Sequence, residues 1–266
     1  MKHRLKRTLL FTLLGLSYGL FSYGFFGQWW NSSLGSLLII FISYLIWGKE
    51  FLKKIGLHLD LRSVAKTFLL AIFVIAGSFL IMKHIADKNK ILIVLRDWRS
   101  YYHDIFYILN EEIVIGALLL FTSVNKWKIQ PILASIGLAI VFSLMHFIFY
   151  KWTMIEKGIM GVTTLLTLFF VGFVRNNLIL QTGHIGYSWA LHFGWMVVMF
   201  GCLHVDLNTN LKVTEPVRFN TYLGSIEMLI IAMIIAGLSL GYWIKKYSPQ
   251  QQATRKSGFG ASLTGD

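Results

Sequence analysis

The chain has 266 residues, of which 56% are hydrophobic and only 14% are charged, and its formal net charge is +13. A soluble domain of average composition carries about a quarter charged residues, so this composition excludes an ordinary soluble domain. The Lys and Arg residues lie in short loops between apolar runs, which argues against a nucleic-acid partner and favours anionic lipid headgroups. Cys202 is the only cysteine, which excludes a disulfide framework and a cysteine-rich metal site.

Eight apolar segments follow one another along the chain. Crossing a hydrocarbon layer of about 30 Å takes about 20 apolar residues per helix, and every lipid-facing backbone group must be hydrogen-bonded internally. We therefore predict an all-α, polytopic membrane protein with about eight transmembrane helices, forming one membrane domain over residues 1–247. The first segment follows a basic N-terminus and is interpreted as an uncleaved span. The predicted spans are 8–26, 34–48, 65–85, 103–122, 129–150, 153–174, 178–201 and 222–244.

The loops and the tail predict the orientation. With the N-terminus inside the cell, most of the 25 Lys and Arg residues, Arg175 among them, fall on the inner side. This bias predicts that both termini are cytoplasmic. The basic loop 83–99 is the exception, and its apolar run 91–95 with Trp98 is predicted to lie in the membrane interface as a short amphipathic stretch. Residues 248–266 have too little apolar content to fold, and we expect a disordered tail.

Four ionisable side chains fall inside predicted spans, where they are costly and indicate function. Glu111 and Glu112 lie in the fourth span, His146 in the fifth and His192 in the seventh. Counted from one membrane face at 1.5 Å per residue, Glu111, His146 and His192 lie roughly 6–14 Å deep. We therefore predict that these side chains converge on one water or one metal ion. Adjacent carboxylates point about 100° apart on an α-helix, so only one of the two glutamates is expected to face that centre squarely.

Other roles for these residues compete with this hypothesis. A single intramembrane histidine is more often a hydrogen-bonded packing residue, and a glutamate pair also suits a proton relay or an ion path. His103, His184 and Glu227 lie near span ends and are predicted to be interfacial. His184 nevertheless shares one helix face with Ser188 and His192. The common depth of the ionisable side chains favours a shared site over these alternatives.

Three short motifs occur in order on the late spans: Glu111-Glu112, Phe142 four residues before His146, and then His192. They resemble the CAAX-protease and bacteriocin-processing (CPBP, or Abi) family of intramembrane proteases. The pattern of that family is Glu-Glu-x-x-x-Arg, Phe-x-x-x-His and His-x-x-x-Asn or Asp. The resemblance implies that Glu111 activates the hydrolytic water, with Glu112 as its neighbour. It also implies that His146 and His192 position the water and polarise the scissile carbonyl.

The resemblance covers about residues 103–201 and has two departures from the family pattern. Gly116 stands at the arginine position of the family, and Met196 stands at its asparagine position. The asparagine is expected to help stabilise the oxyanion, and loss of one such donor typically lowers the rate ~10²–10³-fold. His184 and Asn177 are the candidates to replace it.

The leading hypothesis is an intramembrane endopeptidase of a bacterial cell membrane, which hydrolyses a membrane-associated peptide or a prenylated or bacteriocin-type substrate. Its expected partners are membrane lipids and a peptide or protein substrate, not a nucleic acid. The alternative, favoured by Gly116 and Met196, is a catalytically degenerate relative that acts as a membrane binding or immunity protein. A transporter ranks third, because broken helices in matching halves are not evident.

No cofactor is assigned from the sequence. Two histidines and a glutamate form a familiar zinc-binding set, so a divalent metal such as zinc is compatible with the candidate residues. The short His-Glu-x-x-His spacing of many zinc hydrolases is absent. We therefore rank metal below a water activated by glutamate alone.

Overall fold

A computed structural model describes residues 31–97, 101–149 and 159–246 of the chain. The predicted first span at 8–26, Trp98 and the predicted disordered tail lie outside these ranges, so those predictions stay untested.

Within the described residues the chain forms nine α-helices and two short β-strands. The helices are α1 (Asn31–Trp47), α2 (Phe51–Lys54), α3 (Leu61–Lys88), α4 (Tyr102–Glu111), α5 (Pro131–Phe149), α6 (Ile159–Thr182), α7 (Gly186–Met199), α8 (Glu215–Tyr222) and α9 (Ile226–Lys246). The strands are β1 (Ile91–Val94) and β2 (Leu203–Asp206). The chain stays helical beyond α4 and winds as a π-helix over Glu112–Leu119 and Thr122–Lys126.

Five helical segments within the described ranges are long and apolar enough to cross a membrane. They carry large apolar side chains on their outer surface; on α3, for example, Phe73 is 76% exposed and Leu69 is 67% exposed. An apolar outer surface of this extent suits lipid rather than water. The predicted all-α class is therefore confirmed, and the five segments are consistent with a membrane protein, whereas the predicted number of eight spans stays a prediction. The five segments are Ser33–Lys54, Leu61–Lys88, Asp104–Lys126, Gly161–Thr182 and Ile226–Lys245.

The predicted boundary between the sixth and seventh spans, at 175–177, is wrong. α6 runs through Arg175 without a break. Its polar residues stay helical because neighbouring helices supply partners; Asn176, for example, donates a hydrogen bond to the carbonyl of Ser135 at 2.9 Å. Gly183, at φ +68°, then ends the helix, since glycine adopts this left-handed conformation without steric cost.

The shifted boundary changes two predictions. α7 has only 14 residues, so at 1.5 Å per residue it is about 21 Å long, shorter than the full span predicted at 178–201. Arg175 is a buried helical residue and does not count among the loop charges that predict orientation. The remaining Lys and Arg residues still place most of the positive charge on the inner side.

Helix packing holds α6 and α7 inside the molecule. α3 lies along α7, α5 and α9 lie along α6, and α1 covers α4. Two glycines allow close approach: a Cβ on Gly194 of α7 would collide with Val74 of α3, and a Cβ on Gly172 of α6 would come within 2.9 Å of the Phe142 ring of α5. Small residues at such contacts are typical of helices packed in membranes. The polar residues of α6 and α7 are therefore enclosed by apolar helices.

The apolar run predicted to lie in the interface forms strand β1 instead. It pairs antiparallel with β2, with Ile91 opposite Asp206 and Val94 opposite Leu203. The strand forms because β1 follows α3 and β2 follows α7, and these two helices run side by side. At the other end of the same two helices, the backbone N–H of Ile185 donates to the carbonyl of Gly56 at 2.8 Å. α3 and α7 therefore run parallel, with the sheet at one face of the molecule.

Candidate active site

The predicted glutamates form a buried ionic cluster with an arginine that the sequence did not assign to the site. Arg175 Nη1 donates to Glu111 Oε1 at 3.1 Å and to Glu112 Oε1 at 3.5 Å. The side chain of Arg175 is 1% exposed, that of Glu111 6% and that of Glu112 0%. One guanidinium therefore pairs with two carboxylates away from water, and buried charges require such partners.

Both carboxylates contact the same nitrogen atom of Arg175, whereas the expectation that only one of them faces a water or metal squarely stays a prediction. α4 ends at Glu111 and the π-helix begins at Glu112. A π-helix forms i→i+5 hydrogen bonds and winds more widely than an α-helix, so neighbouring side chains diverge by less than 100°. π-helical turns occur frequently at functional sites.

Helix α7 supplies two further donors to Glu112. Ser188 Oγ donates to Glu112 Oε2 at 2.6 Å, and His192 Nδ1 lies 3.1 Å from Glu112 Oε1. Because a carboxylate only accepts, His192 carries a proton on Nδ1. In a neutral imidazole this tautomer leaves Nε2 as an acceptor. Together with Arg175, these donors hold the Glu112 carboxylate from three sides.

The ring of Phe142 on α5 joins the histidines to the ionic cluster. Arg175 Cζ lies 4.4 Å from the Phe142 ring centroid, in the range of a cation–π contact. The same ring meets His146 edge-on at 4.9 Å and His192 edge-on at 5.8 Å between centroids. The predicted residues are therefore linked as follows: Glu111, Glu112 and His192 by Arg175 and a direct hydrogen bond, and His146 through the Phe142 ring. That they converge on one water or one metal ion stays a prediction.

His146 is held by its own helix. Its Nδ1 donates to the carbonyl of Phe142 at 2.8 Å, which assigns the proton to Nδ1 in this imidazole as well. The ring lies 6.4 Å from that of Phe219, in α8, which closes the cluster on that side.

Three residues of the site were not predicted from the sequence. Arg175 was assigned to a loop, Phe142 was treated as an ordinary member of its motif, and Ser188 was noted only for its helix face. Arg175 could have been predicted from the sequence if residues 159–182 had been interpreted as one uninterrupted helix. It is then a cation inside a membrane span, and the two glutamates of the fourth span are the anions available to pair with it.

The two residues considered as replacements for the missing asparagine lie elsewhere. Asn177 Nδ2 donates to Ser239 Oγ on α9 at 3.2 Å. His184 accepts from the backbone N–H of Gly186 at 3.1 Å and stacks on His58 at 4.7 Å between ring centroids. Burial lowers the pKa of His184 from its usual range. Neither side chain hydrogen-bonds to the glutamates.

The two predicted interfacial residues and the two positions that depart from the family pattern lie at different places in the structure. Glu227 accepts a hydrogen bond from Lys88 at 2.6 Å at the end of α9, which agrees with an interfacial position. The side chain of His103 lies outside the described residues. Met196 is half-buried against the hydrophobic core. At Gly116 a Cβ would come within 2.7 Å of Ile179 and 3.1 Å of Glu112 Oε2, so no arginine side chain fits at this position.

The described residues contain no group of three or more His, Cys, Asp and Glu side chains arranged to hold a metal ion. No model of a known protein family matches the chain, no curated protein matches it, and no solved structure matches it. The likeness to the CPBP family therefore rests on the three sequence motifs alone.

Proposed function

We propose that this protein is an intramembrane endopeptidase in which a water activated by Glu111 attacks a peptide bond. The observation that carries the proposal is the unequal hydrogen bonding of the two buried carboxylates. Glu112 accepts from Arg175, Ser188 and His192, whereas among the described residues Glu111 accepts from Arg175 alone. A carboxylate held by three donors is suited to orienting its neighbours. One held by a single donor keeps an oxygen for a water molecule.

The surrounding groups supply what amide hydrolysis needs. A general base must lie within hydrogen-bond reach of the water it deprotonates, and Glu111 takes this role. With its Nδ1 proton on Glu112, a neutral His192 imidazole would present Nε2 as a second acceptor for the same water. His146, whose Nδ1 proton is bonded to the Phe142 carbonyl, is proposed to take the water proton from Glu111 at Nε2 and to pass it to the leaving amine. The surrounding apolar helices keep bulk water away, which strengthens each electrostatic interaction.

The proposed substrate is a membrane-associated peptide, such as a prenylated or bacteriocin-type precursor, that enters between helices in a bacterial cell membrane. The proposed topology has eight spans and two cytoplasmic termini. The five long helices support this number together with the shorter apolar helix Pro131–His146, the 14-residue α7 and the apolar segment at 8–26.

The second candidate function is a membrane binding or immunity protein of the same fold. It is favoured by Met196, which stands where the family has its asparagine. Gly116 no longer favours it, because Arg175 brings a guanidinium to the same pair of glutamates. A binding protein would use the ionic cluster for stability and would need no base.

The test is the variant Glu111→Gln, compared with Glu227→Gln as a matched control outside the cluster. Loss of a general base lowers rates by ~10²–10⁴-fold. We expect Glu111→Gln to fold normally, to stop cleavage of capped apolar peptides in liposomes, and to fail to complement a deletion strain. Glu227→Gln should behave as the wild type. Full complementation by Glu111→Gln would show that the protein acts by binding.

A further inference from the structure

Arg175 carries two donor nitrogens that the protein itself does not use. Nη1 donates to both glutamates, but Nε and Nη2 are buried and have no hydrogen-bond partner among the described residues. A buried donor without a partner costs about 1–3 kcal/mol. Arg175 has two such donors and its side chain is only 1% exposed, which indicates that Nε and Nη2 bind a hydrogen-bond acceptor from a ligand.

These donors belong to the candidate site. The guanidinium is planar, so Nε and Nη2 lie in the same rigid fork as the Nη1 that contacts Glu111 at 3.1 Å. One face of the fork lies against the Phe142 ring, and that ring also meets His192. An oxygen bound at Nε and Nη2 would therefore share one guanidinium with the carboxylate proposed to activate water, on the edge opposite Nη1.

The other side chains considered as hydrogen-bond donors to the substrate oxygen are already bonded or lie away from the glutamates. A neutral His192 donates from Nδ1 to Glu112, which leaves Nε2 as an acceptor rather than a donor. Asn177 is bonded to Ser239, and His184 lies beside Gly186 and His58. Met196 has no donor. Within the described cluster, Arg175 is the side chain whose donor atoms, Nε and Nη2, have no hydrogen-bond partner.

We propose that Arg175 is a catalytic residue that binds the scissile carbonyl oxygen through Nε and Nη2 and stabilises the oxyanion. This inference rests on the proposed peptidase function. As the water oxygen bonds to the carbonyl carbon, Glu111 takes the water proton and the carbonyl π electrons move to the oxygen held by Arg175. Collapse of this intermediate breaks the C–N bond, and the proton passes to the leaving amine. Water is consumed, and an acid and an amine are formed.

The experiment compares Arg175→Lys with Arg218→Lys in the full chain in detergent. Lysine keeps a positive charge for the glutamates but lacks the fork of donors. Arg218 is the matched control, since it is also buried, also has an unpartnered Nε, and hydrogen-bonds to the carbonyl of Met199 outside the cluster. The probes are a pool of capped apolar peptides and the same pool with one amide replaced by a phosphinate, a mimic of the tetrahedral intermediate.

We expect Arg175→Lys to lower kcat by ~10²-fold, the typical effect of losing one oxyanion donor, with KM within about twofold. Its affinity for the phosphinate pool should fall by a similar factor, while its affinity for the amide pool stays unchanged, because only the transition state and its mimics use these donors fully. Arg218→Lys should retain the kcat and the phosphinate affinity of the wild type.

Each other outcome has a defined meaning. Wild-type kcat and phosphinate affinity in Arg175→Lys would overturn the inference and leave the peptidase proposal standing. Equal loss of both pools together with a lower melting temperature would assign Arg175 a purely structural role. Arg175-dependent phosphinate binding without any cleavage by the wild type would support the oxygen-binding site and refute the peptidase. If Arg175→Lys does not fold, ¹⁵N-arginine NMR of the wild type decides, since the proposal requires the Arg175 Nε–H resonance to shift with phosphinate.

Discussion

Glu111 and Glu112 are adjacent in sequence, yet their surroundings assign them different tasks. Glu112 is fully buried and holds α6 and α7 together through Arg175, Ser188 and His192. Within the described part of the chain, Glu111 hydrogen-bonds to α6 alone. Removing one partner of a buried ion pair costs about 3–5 kcal/mol, and the larger share of that cost should fall on the residue with more partners.

We therefore predict that Glu112→Gln lowers the thermal stability of the purified protein more than Glu111→Gln does. The difference should be a few kcal/mol at most, because Arg175 keeps one carboxylate in either variant. Thermal unfolding of both variants in the same detergent measures it, with Glu227→Gln as the exposed control. A larger loss for Glu111→Gln would mean that the two glutamates have been assigned the wrong roles.

His204 gives the molecule a dependence on pH that is separate from the site. It lies in β2, where its Nε2 donates to the carbonyl of Val198 and its Nδ1 accepts from the hydroxyl of Tyr222 at 2.7 Å. Burial lowers the pKa of His204 from 6.5 to about 4. The unfolded chain therefore binds this proton more readily than the folded chain at any pH between these two values.

We predict that stability is lost as the pH falls from about 6.5 to about 4, by up to about 3 kcal/mol from His204, since each pKa unit corresponds to 1.36 kcal/mol. In His204→Gln, which keeps a donor and an acceptor, the pH dependence should be shallower. It should not vanish, because the lowered pKa of His184 acts with the same sign. Unfolding curves at several pH values test this, and parallel curves for the two proteins would contradict it.

At the level of elements, the contact between the π-helix and α6 determines where the carboxylates lie. Gly116 faces Ile179, and a Cβ at this position would come within 2.7 Å of Ile179 Cδ1. Gly137 of α5 offers a comparison, since a Cβ there meets no heavy atom within 4 Å. The same substitution in the two helices should therefore have opposite effects.

We predict that Gly116→Ala destabilises the protein by about 1–3 kcal/mol, as overpacking of a close contact does. It should also reduce activity, because the added methyl group lies 3.1 Å from Glu112 Oε2. Gly137→Ala should be neutral or stabilise by about 0.5–1 kcal/mol, since alanine favours a helix over glycine. Equal melting temperatures for the two variants would refute this account of the contact.

The elements also differ in how far the sequence could predict them. The long apolar helices were predictable, because their hydrophobic runs are uninterrupted. The end of α6 was not, because Arg175 and the two asparagines after it have the composition of a loop, and only tertiary partners keep them helical. The π-helix after Glu111 has no signal in the residue pattern, since its i→i+5 bonds involve only the backbone.

The candidate site was predictable in its members but not in its assembly. Four ionisable residues could be identified from the sequence because a charged side chain inside an apolar segment is energetically costly and therefore indicates function. Their connections through Arg175 and Phe142 depend on how α5, α6 and α7 pack, which residue spacing within one helix cannot predict. The same limit applies to β1, whose partner strand lies more than a hundred residues further along the chain.

For the whole molecule, two contacts between distant loops support the alternating path of the chain. β1 and β2 meet at one face, and the loop at Gly56 meets Ile185 at the other. The contact of β1 with β2 thus joins two loops predicted to share a side of the membrane, whereas Ile185 was predicted to lie within a span. The rule that positive loops stay inside then predicts which face is cytoplasmic.

We predict that alkaline phosphatase fused after Lys246 is inactive, because the distribution of basic residues predicts that this end of α9 is cytoplasmic. The same enzyme inserted at Asn208, in the exposed turn after β2, should be active outside. A fluorescent reporter that folds only in the cytoplasm should give the reverse pattern. An active phosphatase after Lys246 would invert the topology while leaving the fold unchanged.

The order of charges along the chain has a consequence for biogenesis. An arginine at the centre of a helix costs about 2.5–3.5 kcal/mol during insertion by the translocon, and α6 carries Arg175. Glu111 and Glu112 precede α6 in the chain and are synthesised first. If the helices insert in this order, the arginine enters the bilayer next to its counter-ions. A circularly permuted chain that begins with α6 would have to insert that charge alone, and its failure would occur at the translocon rather than in the folded protein.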